Sequence, residues 1–254
     1  MKKNNIIIII LIIVIFHITY PRILPNILGL LMPIKNDEPL DVVVAHYKED
    51  LSWIDSLLPK NCRIFIYSKS NMIPNCKRKY IHKVLENVGR CDHTYLYHII
   101  NNYDKKLNKN TLFLPGSCNL LYKKIQLIIL LKNIGKFKIN NLPLMKKSII
   151  SDDYNKYMIR IAIKNGYCST DLNNKHKDCS LKKYKFNNYK EFINYFNLNI
   201  KYYTLGGLHQ IKTKIIYNRP KKFYNKILKV LDHADNTLNG HFLERSFHSI
   251  LVEK

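Results

Sequence analysis

The chain lacks most of the signals that identify an enzyme at sight. There is no G-x-x-x-x-G-K-[ST] loop and no G-x-G-x-x-G turn, so the two commonest phosphate cradles are excluded. H-E-x-x-H and G-x-S-x-G are also missing, which removes the usual zinc-protease and serine-hydrolase readings. No Asp-x-Asp, Cys-x-x-Cys or Asn-x-Ser/Thr occurs, and no alanine precedes Ala45. With only 8 glycines and 9 prolines in 254 residues, collagen-like and low-complexity architectures are ruled out. Acidic residues are few: 18 Asp+Glu stand against 42 Lys+Arg, a formal net charge of +24.

That excess suits a polyanionic partner or an anionic membrane surface. The basic residues are nevertheless spread along the chain, with Lys77-Arg78-Lys79 the nearest thing to a block. The abundance of Lys, Asn, Ile and Tyr is what AT-rich coding produces. No zinc-finger or RNA-recognition signature accompanies the charge, so no nucleic-acid partner is expected. At 46% hydrophobic residues the chain has ample material for a packed core.

Residues 1–5 (MKKNN) precede an apolar run that, with His17, Thr19 and Tyr20, extends from Ile6 to Tyr20. Fifteen helical residues span roughly 22 Å, short of the roughly 30 Å hydrocarbon core, but Lys2, Lys3 and Arg22 can snorkel and Tyr20 suits the headgroup level. An uncleaved signal-anchor over 6–20 is favoured over a cleaved signal peptide, because a small-x-small site is missing; a buried helix is the third reading. This predicts a cytosolic tail (1–5), a stalk (21–39) and a single domain (40–254) in a type II, ER/Golgi lumenal arrangement. Six cysteines suit an oxidising compartment, and Cys168 with Cys179 is the candidate bridge.

The domain reads as α/β, with a mixed, largely parallel sheet flanked by helices. Asp41–His46, Arg63–Tyr67, Tyr80–Leu85 and Thr111–Leu114 have the β-branched or alternating pattern of strands. Between them, 50–58, 94–103 and 120–133 carry helical spacing. Residues 202–216 read as a strand, a turn at Gly206-Gly207 and a second element, and a helix follows Pro220. Residues 136–200 show no clear pattern. In such sheets ligands bind beyond the carboxyl ends of the strands, which here carry His46-Tyr47-Lys48-Glu49, Ser68-Lys69-Ser70, Asn87 to Arg90, and Pro115-Gly116-Ser117.

The last helix gathers Leu243, Phe247, Ile250 and Leu251 on one side and His241, Glu244, Arg245 and His248 on the other. The polar side reads either as a cleft lining or as a solvated face with an i, i+4 pair. Asp152-Asp153 is the only adjacent aspartate pair. It reads as a helix N-cap or as ligands for Mn²⁺ or Mg²⁺.

Five stretches, in order, carry a resemblance: VVVAHYKEDLSWI (42–54), IFIYSKS (64–70), LENVGRCDHTYLYHIINNYDKKL (85–107), TLFLPGS (111–117), and a tail with Gly206-Gly207, RPKKFYNKIL (219–228) and GHFLERSFHSIL (240–251). Together they resemble the family known as domain of unknown function 3431. Its layout is similar to that of glycosyltransferase-like families, which also end in a Glu-Arg helix behind a Gly-rich segment. The resemblance implies a nucleotide-sugar-transferase-like fold and transfer of a sugar to a glycan or protein acceptor. On that reading Arg90 and Arg245 clamp phosphate, with Asn87, Gly89, His46, Gly206 and Gly207 lining the substrate site. Glu244 is the candidate base, with His93 beside it and His98 and His248 as alternates. Asp152 and Asp153 are the candidate metal ligands. The alternative is a non-catalytic, membrane-tethered module of the same fold that binds glycan or another polyanion.

Overall fold

The computed structural model describes residues 38–146, 186, 189–231 and 238–252. The tail, the anchor segment 6–20, stalk residues 21–37, Asp152, Asp153, Cys168 and Cys179 lie outside them. Among the described residues no helix is long and apolar enough to cross a membrane.

The architecture is α/β, with one mixed six-stranded sheet in the order β3-β2-β1-β4-β6-β5. β1 (Leu40–His46), β2 (Cys62–Ser68), β3 (Ile81–Val84) and β4 (Asn110–Pro115) pair in parallel. β6 (Tyr202–Lys212) runs antiparallel to both β4 and β5 (Ile139–Lys146). β1 is buried along its whole length, as a central parallel strand covered on both faces must be. Its alternate residues Val43 and Ala45 join Phe65, Tyr67 and Phe113 in the main core, with side chains from the later helices. Val42, Val44, Ile64 and Leu112 point to the other face and are equally buried.

Six α-helices are present among the described residues: α1 (Trp53–Leu57), α2 (Arg90–Asn102), α3 (Leu121–Lys132), α4 (Tyr189–Phe196), α5 (Lys221–Leu228) and α6 (Leu238–Val252). α1 is shorter than the spacing over 50–58 predicts. The Asp50 carboxylate takes the Ser52 N–H and hydroxyl, both at 2.9 Å, and so builds the turn before the helix instead of capping it. α6 packs against β6, and its Leu243, Phe247, Ile250 and Leu251 are fully buried, as their spacing predicts.

Two expectations need correction. Gly206-Gly207 is not a turn between elements, because β6 runs straight through it. Leu142 pairs Leu208 and Leu144 pairs Thr204, so Leu205, Gly206 and Gly207 oppose Pro143 alone. This bulge uses φ of 80° and 71° at the two glycines, values that a side chain would strain. α2 also begins four residues earlier than its periodicity indicates, and of its polar residues Thr94, His98, Asn101 and Asn102 only Asn101 is exposed. Thr94, His98 and Asn102 are buried, and the His98 ring lies edge-on to Phe65 at 4.7 Å.

Candidate functional site

The strand order reverses beside β1, whose next strand, β2, lies on one side while β4 lies on the other. Open α/β sheets offer a crevice beyond the carboxyl ends at such a point. β6 runs the opposite way: Phe113 of β4 pairs His209, so the β6 bulge at 205–207 passes the same end of the sheet. α2 also starts at this end, because it follows the parallel strand β3.

The start of α2 is unusual. Gly89 and Arg90 both adopt left-handed φ, 58° and 52°. For arginine that conformation costs about 1 kcal/mol or more. The buried Lys69, just past β2, donates its ammonium to the carbonyls of Val88 and Arg90 and its N–H to the His46 carbonyl at 2.8 Å. One lysine therefore ties the ends of β1 and β2 to the loop that presents Arg90.

Arg90, Glu244 and Arg245 are brought together around His241. The Arg90 Nη1 lies 3.4 and 3.5 Å from the two ring nitrogens of His241. Arg245 Nη1 donates to the His241 carbonyl at 2.8 Å and lies 3.4 Å from Glu244 Oε2. Glu244 Oε1 accepts the Gly206 N–H at 2.8 Å, the donor that the bulge frees from strand pairing. Gly207 completes the junction: its carbonyl accepts the Tyr95 hydroxyl at 2.8 Å, and a Cβ there would sit 2.9 Å from the Cys91 sulfur. Arg90 is exposed and Glu244 half-buried, whereas Arg245 is buried and turned toward its own helix.

Charge in this cluster is arranged unevenly. Asp92 is buried, and desolvation together with the Glu244 charge pushes its carboxyl well above the usual range, with Arg90 and Lys69 opposing. Its Oδ2 receives only the Cys91 thiol at 3.7 Å, and its Oδ1 has no hydrogen-bond partner. Burial also pushes up the Cys91 thiol, helped by Asp92 and Glu244. His241 is driven well below its ordinary value by burial and by the two arginines, so it is a neutral ring beneath Arg90. His93, on the same turn as Asp92, falls to about 4 through burial and the Lys69 charge.

The other candidates lie elsewhere. His46 ends β1 with its Nδ1 2.9 Å from Ser68 Oγ, which is also 2.9 Å from His82 Nε2. This chain crosses three adjacent strands. Burial lowers the His46 pKa, while the Glu49 charge opposes. His248 pairs with Asn141 Nδ2 at 2.9 Å, and the Asn141 Oδ1 accepts from His209 at 3.0 Å. His98 is a core residue, 2.9 Å from the Tyr67 hydroxyl and lowered to about 3, so it faces no cleft. Asn87 is exposed in the loop before α2, and Gly89 is packed against His93 and Leu231. Asp152 and Asp153 lie outside the described residues, among which no group of three His, Cys, Asp or Glu side chains could hold a metal ion.

Sequence reasoning passed over Asp92 and placed Lys69 among the strand-end residues without a role of its own. An acidic residue in a first helical turn reads as a dipole partner, and nothing local shows that it will be buried. Lys69 sits in a Ser-Lys-Ser run at a strand end, and nothing local shows that it will be buried. Their proximity to Glu244 and Arg90 is tertiary.

No curated protein matches the chain. The family model described as protein of unknown function (DUF3431) matches residues 42–254, a span that includes all six strands apart from the first two residues of β1, and both halves of the Arg90–Glu244 cluster. The chain belongs to that family.

Proposed function

We propose that the chain is a membrane-anchored, glycosyltransferase-like enzyme that moves a sugar from a nucleotide-sugar donor to a glycan or protein acceptor. The observation that supports it is the meeting of Arg90 and Glu244 around His241, beside the glycine bulge at the carboxyl end of the sheet. Residues 154 positions apart in sequence come together there in a largely buried polar cluster from which Arg90 reaches the surface, on a fold whose switch point suits a nucleotide.

In this reading the acceptor hydroxyl oxygen attacks the anomeric carbon as the bond to the diphosphate oxygen breaks. The leaving diphosphate keeps the bonding pair and is met by the Arg90 guanidinium, which matches phosphate geometry. The hydroxyl proton passes to the Glu244 carboxylate. His93 is the second candidate base, since a ring lowered to about 4 is neutral at pH 7. Arg245, bound to the carbonyl of its own helix, orients Glu244 and does not itself clamp phosphate. Mn²⁺ or Mg²⁺ held by Asp152 and Asp153 would add charge at the diphosphate, and residues 6–20 would supply the type II anchor.

The test is a transfer and hydrolysis assay over UDP- and GDP-sugars with the full chain, with and without Mn²⁺. The reading expects turnover of at least one donor, lost in Arg90→Ala and in Glu244→Gln. If no donor turns over and calorimetry shows no donor binding, the reading is wrong. The second reading, a tethered glycan- or polyanion-binding module, draws on the +24 charge and on the burial of Arg245. It expects binding with steep salt dependence and no turnover.

A further inference from the structure

On the other flank of α2 from β6, a groove of about 380 Å³ runs between the helix and the β2–β3 edge of the sheet. Arg63, Lys83, Lys105 and Lys106 line it, together with Tyr67 and Tyr97, and none of its lining residues is acidic. β3 is a short edge strand with all four residues exposed, so the groove is open along one side.

The aromatic rings in the groove are already covered. The Lys83 ammonium lies 5.0 Å from the centre of the Tyr97 ring, and His93 stacks on the same ring at 6.5 Å and 23°. The Arg63 guanidinium lies 5.2 Å from the Phe65 ring, and Tyr67 meets Tyr97 edge-on at 5.6 Å. Cations over ring faces leave little π-surface for a nucleobase. What the groove offers instead is the ammonium groups of Lys83, Lys105 and Lys106, with Arg63 held by Asp41 at 2.8 Å, which suits a non-aromatic anion of more than one charge.

The groove and the candidate site share helix α2. His93, Tyr97 and Asn101 fall on one face of α2 at i, i+4 and i+8, and the first two rings touch. A ligand extended along that face from Asn101 over Tyr97 would run toward His93 and the first turn, where Arg90 is exposed.

We propose that this groove binds the acidic stretch of a saccharide, with sulfate or phosphate groups on Lys83, Lys105 and Lys106, and that it is the acceptor arm of the site. The acceptor role rests on the function proposed above, whereas the binding does not. The experiment titrates the full chain with a heparin-derived hexasaccharide at 50 and 200 mM salt. A Lys83→Glu/Lys105→Glu/Lys106→Glu variant should bind about thirtyfold more weakly. A variant of equal charge change at the opposite edge of the sheet, Lys124→Glu/Lys136→Glu/Lys138→Glu on α3 and just before β5, should stay within about threefold of the parent chain. Equal weakening by the two triple variants would reduce the binding to non-specific charge and overturn the proposal. No binding at 50 mM salt would overturn it too, as would displacement of the hexasaccharide by an equal concentration of oligo-dT. Loss of donor turnover with this binding intact would overturn the transferase reading and leave the groove as a saccharide site.

Discussion

The carboxylate of Glu244 holds the backbone N–H of Gly206 at 2.8 Å, joining the last helix to a strand bulge 38 residues earlier. A bulge leaves a donor without a strand partner, and here a side chain supplies the acceptor. The same helix is fastened a second time, by the Thr204 hydroxyl bonding to the Glu244 carbonyl. Glu244 therefore has a structural role whatever chemistry it performs. Glu244→Ala removes the acceptor and leaves Arg245 facing a gap, a loss of about 1–3 kcal/mol in urea unfolding. Glu244→Gln keeps an amide oxygen for Gly206 and should lose half of that or less. Equal losses would mean that the bond to Gly206 is not what matters.

Gly89 tolerates no side chain. A Cβ would lie 2.8 Å from the Cβ of His93 and 2.9 Å from that of Leu231, on a backbone at φ 58°. Gly89→Ala should destabilise by about 2 kcal/mol or more, seen as a fall in melting temperature of about 4–8 °C. An unchanged melting temperature would contradict this loop geometry.

Acid stability follows from buried imidazoles. His93 is lowered to about 4, and His98 and His209 to about 3, each chiefly by burial. Above the ordinary value of 6.5 these rings are neutral in both the folded and the unfolded chain. Below it the unfolded chain takes up protons that the native rings refuse, so stability falls with pH. The slope is about 1.4 kcal/mol per pH unit per ring, down to the native values. Unfolding near pH 5 should therefore take up protons, measurable by calorimetry in buffers of different ionisation enthalpy. His98→Gln should flatten the profile.

Asp92 acts with the opposite sign. Its native pKa lies above the unfolded one, so the native chain holds a proton that the unfolded chain has released. Stability is lost as pH rises from about 4 toward the native value. Asp92→Asn, which is neutral throughout, should stabilise the fold at pH 7, and the difference should vanish below about pH 4. A pH-independent difference would show that the carboxyl is not shifted.

Asp41 anchors the opposite end of the sheet. It is fully buried and accepts two bonds from Arg63, at 2.8 and 2.9 Å, and two from Asn108, both at 2.8 Å. Asp41→Ala strands all four donors and should cost about 2 kcal/mol or more in urea unfolding without altering any ligand binding near Arg90.

Much of the sheet was legible because its strands are buried on both faces. DVVVAH, RIFIY and TLFL are apolar runs of strand length, and each became a central strand. β5 (INNLPLMK) was not legible, since two asparagines and a proline break the pattern, and its pairing with β6 supplies what its own sequence does not. Glycine pairs read as turns locally, and only the register of β5 against β6 shows a bulge. The site was half legible. Arg90 and Glu244 were marked by residue type, but the burial of Asp92 and the reach of Lys69 depend on helices and strands that meet only in three dimensions.

The hydroxyl of Ser68, set between the rings of His46 and His82, has a single proton to give. At least one of the two imidazoles must therefore carry hydrogen on the nitrogen that faces it. The buried ring at the centre of the sheet and the exposed ring at its edge cannot choose their tautomers independently.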